Sequence, residues 1–166
     1  MKGVFLTGIC VMMGILLMGN LVCAATIEEE QANASQVLDA LHDAASKHEA
    51  ERYFSLYAPD AIFLGTDATE RWTLEQFKEW AVPYFNSGKG WTYIKKERFM
   101  YVSTDMNTAW FDESLMNEKY GECRGSGVLI KVDGAWKIVQ YNLTFPVPNS
   151  IAEKITEMIK AETAAK

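Results

Sequence analysis

From residue 91 onward the chain reads as four strand-like runs, at 91–103, 108–117, 122–132 and 136–145. The segments between them, 104–107, 118–121 and 133–134, are two to four residues long and rich in turn formers. Connections this short cannot carry a chain across a sheet, so the four runs must be antiparallel neighbours in one meander. Pro146 and Pro148 end it, because proline cannot donate to a ladder. Helical patterns fill the first half, and helices followed by an antiparallel meander make an α+β domain.

Those helices are marked by their caps. Thr26 and Glu29 have capping-box spacing, and Val37, Leu38, Leu41, Ala44 and Ala45 recur at helical period, so one amphipathic helix runs to about Lys47. A short helix at 49–57 and a short strand at 61–64 follow. Thr73 and Gln76 form a second capping box. It opens a helix carrying Leu74, Phe77, Trp80, Ala81 and Tyr84, bent at Pro83 and stopped by residues 86–90. Ser150 caps a last helix whose stripe is Ile151, Ile155, Met158 and Ile159.

Ahead of all this, Lys2 is followed by residues 4–22, apolar apart from Thr7 and Asn20, and small residues precede Ala25. This is the pattern of a secretory signal. A membrane anchor and lipidation at Cys23 are the other readings. Gly3, Gly8, Gly14 and Gly19 interrupt the run and no basic cluster follows it, which favours cleavage. The expected organisation is a signal peptide at 1–24, one domain at 25–149 and a terminal helix at 150–166, in the periplasm or secreted, with no membrane anchor left. Cleavage leaves 142 residues, moves the net charge from −6 to −7 and leaves Cys123 as a lone cysteine, a small residue in a strand.

Several function classes drop out. An acidic chain of pI near 5.0 lacks the basic face of a nucleic-acid binder. Gly125, Ser126 and Gly127 lie within a strand rather than before a helix, so they are no phosphate loop. His42 and His48 are six residues apart and share no helix face, and no paired-cysteine pattern occurs, so no metal and no cofactor are expected. A nucleophilic serine has no plausible histidine.

The last hairpin suggests a pocket wall. Placing Lys131 and Lys137 both towards water needs an odd loop, Val132, Asp133 and Gly134. Arg124, Ser126, Val128 and Ile130 then share a face with Trp136, Ile138, Gln140 and Asn142. A two-residue turn would invert one strand against the other. A symmetric turn about Glu118 and Lys119 would set Glu113 opposite Arg124, as a ligand anchor or as an ion pair closing the fold.

The stretches FLGTDATERW at 63–72, GWTY at 90–93, WFDE at 110–113, RGSGVL at 124–129 and WKI to YNLT at 136–144 carry a resemblance. Together they make the mature chain similar to nuclear transport factor 2-like domains of the SnoaL-like branch. The resemblance implies a cone, a curved sheet wrapped round a long helix with a pocket at the wide end. It implies no single activity, since relatives include ketosteroid isomerase, scytalone dehydratase, polyketide cyclases and members that only bind or assemble. Several branches end the last strand with a His two residues before a Ser. Here those places hold Asn142 and Thr144, and an amide cannot take a proton.

The expectation is therefore a module binding a small, mostly apolar molecule through Tyr57, Trp72, Tyr84, Arg124, Ser126, Gln140 and Asn142. The alternative is an acid–base enzyme of isomerase, cyclase, dehydratase or hydrolase type using Glu113 or Asp112, which requires that carboxylate inside and not neutralised. Glu113 shares its face with Ala109, Phe111 and Leu115. Asp67, Glu70 and Arg71 either lock a loop or touch the pocket rim, and Trp72, Phe77, Trp80, Tyr84 and Trp91 are either core or ligand cage. The resemblance implies pairing through the convex sheet face, and the terminal stripe needs cover, so a homodimer is the expected assembly; the stripe packing on its own sheet is the alternative. Mass spectrometry of the protein from its native host should find a chain beginning at Ala25; a chain beginning at Met1 would favour the anchored reading.

Overall fold

The computed structural model describes residues 25–164. The signal segment, its cleavage site, Cys10 and Cys23 lie outside the described residues. Helix α1, Ile27–Ser46, starts at a capping box in which Thr26 Oγ1 accepts from Glu29 N–H and the Glu29 carboxylate accepts from Thr26 N–H. Its buried stripe is Ala34, Leu38, Leu41, Ala44 and Ala45. Helix α2, Ala50–Ser55, leads into β1, Tyr57–Leu64, which begins four residues earlier than its apolar run suggests. A three-residue strand β2, Arg71–Thr73, precedes α3, Leu74–Asn86, which has its own Thr73–Gln76 capping box and contains Pro83. The meander follows as β3, Ile94–Val102, β4, Thr108–Asn117, β5, Gly121–Val132, and β6, Ala135–Thr144.

The six strands form one sheet in the order β2-β1-β6-β5-β4-β3. The meander pairs are antiparallel, while β1 joins β6 in parallel, so the sheet is mixed. The inner face and the helices enclose Leu38, Phe77, Leu115, Leu129 and Ile138, all essentially without solvent exposure. Helix α1 is tied across this face at several points. Gln31 Nε2 donates to the Met100 carbonyl, and Trp136 Nε1 donates to Glu30 Oε2 at 2.7 Å. Cys123 is buried on β5, where burial, with the charge of Glu122, pushes its thiol up.

The β5–β6 register departs from the odd-loop expectation. The loop is the two-residue turn Asp133–Gly134, with φ of +50° and +79°, as a primed hairpin turn requires. Lys131 therefore sits opposite Trp136, bonds Glu30 Oε1 at 2.6 Å and lies over the indole, while Lys137 reaches the Ser55 carbonyl. The two lysines do not share a face. Farther along, Leu129 pairs with Ile138 but Val128 pairs with Gln140, so Val139 is an extra residue on β6. That bulge flips the side-chain parity of β6. Trp136 and Ile138 point inward before it, and Tyr141 and Leu143 point inward after it.

A 3₁₀ turn, Asn149–Ile151, leads to α4, Ala152–Ala164, which buries no residue. Ile151, Met158 and Ile159 remain exposed, so the terminal stripe does not pack on its own sheet.

Gly127 faces inward beside the bulge, and a Cβ there would run into the Gln140 carbonyl and press on Phe111. Gly127→Ala should therefore cost about 1–3 kcal/mol through overpacking. Urea denaturation checks this, and an unchanged midpoint would mean the bulge yields freely.

Candidate functional site

Four elements converge on one carboxylate. Strand β4 turns Ala109, Phe111, Glu113 and Leu115 inward, and Glu113 is 1% exposed. Its Oε1 accepts from Tyr141 OH on β6 at 2.8 Å and lies 2.9 Å from His42 Nε2 on α1. Its Oε2 accepts from Arg98 Nε on β3 at 2.8 Å, with Arg98 Nη2 at 2.7 Å. Arg98 Nη1 continues to Ser35 and to Asp39, which also takes Lys95. Burial pushes the Glu113 carboxyl up, but His42 and Arg98 outweigh it and hold the group below the ordinary carboxylate range. An ionised carboxylate only accepts, so His42 Nε2 carries a proton in this contact. Burial and the neighbouring carboxylate push Tyr141 well above an ordinary phenol, which keeps it a donor.

Gly125 makes the convergence possible. It lies opposite Glu113, and a Cβ there would strike the Tyr141 hydroxyl and Glu113 Oε1.

Towards the other end of the sheet a cavity of about 940 Å³ opens between α3, β1 and the strand ends. Phe63, Trp72, Trp80, Tyr84, Trp91 and Tyr93 supply its apolar wall, and Glu70, Asn117 and Lys119 are among its polar lining. Trp80 and Tyr84, one helical turn apart on α3, lie 6.1 Å apart at 13° between planes, and Trp91 is within 28° of both. At about 6 Å these rings are near-parallel and offset from one another, and they line the cavity together. Behind the cavity is a chamber of about 20 Å³, touched by His42, Tyr53 and Tyr141. Phe63, Trp91, Tyr93 and Leu143 line both spaces.

The expected site residues are distributed between two faces. Glu113 is inside, and Trp72 and Tyr84 line the cavity. Tyr57 is buried beneath, with its hydroxyl 3.1 Å from that of Tyr53. Asp112 is exposed on the outer face, opposite Ser126. Arg124 and Ser126 also face outward, because the two-residue turn sets Lys131 rather than Ile130 opposite the inward Trp136; Gln140 and Asn142 do so because the bulge at Val139 reverses the parity assumed for β6. Arg124 pairs with Ser114 rather than Glu113, because the β4–β5 connection is the odd loop 118–120 closed by Asn117 and Gly121. The ion-pair partner of Glu113 is Arg98 instead. Asp67 and Glu70 lock their turn, Asp67 accepting from Thr69 and Glu70 from Asp67 N–H, and Glu70 also lines the cavity.

His42, Arg98 and Tyr141 escaped the sequence reading. His42 follows Leu38 and precedes Ala45 on the buried stripe, which was the available signal. Arg98 alternates inward with Met100 and Val102, and Tyr141 is hidden by the bulge.

Replacing Glu113 by Gln would remove the buried counter-charge of the Arg98 guanidinium, whose side chain is 3% exposed, and leave it only the half-exposed Asp39. Glu113→Gln should destabilise by about 3–5 kcal/mol. Because the folded pKa is depressed, Glu113 stabilises above the ordinary value of 4.5 and this contribution is lost as pH falls below it. Urea titrations between pH 3 and 7 should show that the variant lacks this part of the acid slope; equal slopes would refute the ion-pair assignment.

The SnoaL-like domain family profile matches residues 34–148. No curated protein matches the chain. Among solved structures, a nuclear transport factor 2-like protein of unknown function from Pseudomonas putida superposes with a TM-score of 0.61 at 9% identity, covering 75% of this chain and 92% of its own. A candidate dehydratase of the same fold family from Streptomyces avermitilis gives 0.62 at 10% identity, covering 74% and 100%. A candidate aromatic ring hydroxylase from Novosphingobium aromaticivorans gives 0.60 at 13%, covering 75% and 94%. These likenesses show the fold alone, and the profile match adds the family: the chain belongs to the SnoaL-like domain family, on a nuclear transport factor 2-like fold.

Proposed function

We propose that this domain binds a small, flat, mostly apolar molecule in its aromatic cavity. The observation that carries the reading is the cluster of Trp72, Trp80, Tyr84 and Trp91 along one cavity wall, in which Trp80 is 52% exposed. Rings left open to water inside a concavity gain most by being covered with another planar apolar surface. A volume of about 940 Å³ suits a drug-sized ligand. The inner carboxylate favours binding over carboxylate catalysis. Glu113 has both oxygens taken by donors and a guanidinium beside it, so it is not a free base.

The leader at 1–24 would carry the domain into the periplasm or out of the cell. There it would act as a homodimer without a membrane anchor. Outward Phe99, Tyr101 and Trp110 on β3 and β4, with the uncovered stripe of α4, support pairing of two copies.

Native mass spectrometry of the protein from its host tests both statements, with a dimer carrying one retained molecule per chain as the expected result. Trp80→Ala should lose the retained molecule while leaving the thermal transition within a few degrees, since Trp80 is half exposed. Full retention by this variant would move the binding surface elsewhere, and a bare monomer of the unaltered chain would remove both proposals.

A further inference from the structure

We propose that the molecule held in the aromatic cavity is a cation, a planar heteroaromatic compound whose positive charge lies against the tryptophan faces and is balanced by Glu70. The inference rests on the cavity reading above and adds to it the charge of the ligand and the residues that select that charge.

Tryptophan offers a cation the most electron-rich face of any side chain. Trp72, Trp80 and Trp91 all line the cavity, with ring centroids 5.2 Å apart for Trp72 and Trp80 and 6.1 Å apart for Trp80 and Trp91. Two other lining rings already hold an ammonium group of the chain itself. Lys119 Nζ is 4.8 Å from the ring centroid of Tyr120, and Lys89 Nζ is 6.0 Å from that of Tyr84. Among the described residues no lysine or arginine lies over Trp72, Trp80 or Trp91. The strongest π faces of the wall are therefore the ones the chain leaves open.

A cation drawn out of water needs a counter-charge as well as rings. Glu70 supplies it from the cavity lining, two residues before Trp72. Its Oε2 accepts from Asp67 N–H, its own N–H donates to the Asp67 carbonyl and its carbonyl accepts from Gly65 N–H, so the turn holds the carboxylate at the wall. Gly65 leaves the room for it, since a Cβ there would strike Glu70 Oε2. Glu118 is a second lining carboxylate and Lys119 the lining ammonium, so two negative groups stand against one positive. An anion would meet both carboxylates and the negative ring faces together. A compact ammonium would give up a strong hydration shell, whereas a charge spread over a planar ring gives up less and still covers the wall. The net charge of −6 also draws cations towards the surface.

The test compares 1-methylquinolinium with 1-methylnaphthalene, which share one planar frame and differ by one positive charge. Binding of each to the purified protein is followed by tryptophan fluorescence. The cation should bind at least about tenfold tighter at low salt, the size of a desolvated cation–π contact. Glu70→Gln keeps an acceptor for Asp67 N–H and removes the charge, and Trp80→Leu keeps apolar cover and removes the π face. Each should shrink the ratio of the two affinities at least about threefold. Should either variant not fold, the ratio in the unaltered protein must still fall as NaCl is raised from about 0.02 to about 0.5 M, because screening weakens the pull of Glu70 on the cation alone. Failure of both probes to bind would overturn the cavity reading and this inference with it. Equal binding, a preference for the neutral probe, a ratio unmoved by both substitutions, or a ratio indifferent to salt would overturn the cation inference alone.

Discussion

A carboxylate withdrawn from water must recover its hydrogen bonds inside the protein, and Glu113 recovers them from three other elements at once. His42 comes from α1, Arg98 from β3 and Tyr141 from β6. Loss of any one donor leaves a buried charge only partly satisfied, which costs more than an ordinary hydrogen bond contributes. The contact therefore fixes where α1 lies against the sheet. It also fixes the sheet's curvature, since strands on either side of β4 must bend inward for their side chains to reach one group. Apolar packing alone would tolerate sliding of α1 along the sheet; a carboxylate with three specified donors does not.

The same convergence separates two environments within one interior. On one side of Glu113 are charged groups that continue to the surface through Ser35, Asp39 and Lys95. On the other is an aromatic space that His42 and Tyr141, both bonded to Glu113, reach from the cluster. The imidazole thus stands between an ion network that reaches the surface and an aromatic interior.

The architecture was legible wherever a local pattern decides the outcome. Capping boxes at Thr26 and Thr73 place two helix starts, and short turn segments place the meander. Glu113 was legible as an inward carboxylate because β4 alternates without interruption. The wall made by β5 and β6 was not, because two features with no strong local signature act together. The Asp133–Gly134 turn sets Lys131 inward beside Glu30, against the rule that lysines face water, and Val139 then reverses parity a few residues later. Arg124, Ser126, Gln140 and Asn142 all moved to the outer face for that reason. His42 was passed over because its importance lies in a partner 71 residues away, which helical period cannot reveal.

The extra residue at Val139 divides β6 into two halves that answer to different demands. Trp136 and Ile138 belong to the floor under α1, whereas Tyr141 and Leu143 belong to the cavity end. With the phase reset between them, each half keeps its own inside and outside. Lengthening or shortening β6 by one residue near the bulge would exchange the inner and outer sets of the cavity end while leaving the hairpin at Asp133 and Gly134 in register. Relatives that differ by one residue here would therefore present Gln140 and Asn142 to the cavity and Tyr141 to the outside. A single-residue insertion would therefore turn amides inward and at the same time take the Tyr141 hydroxyl away from Glu113, so the lining and the support of the buried carboxylate change together.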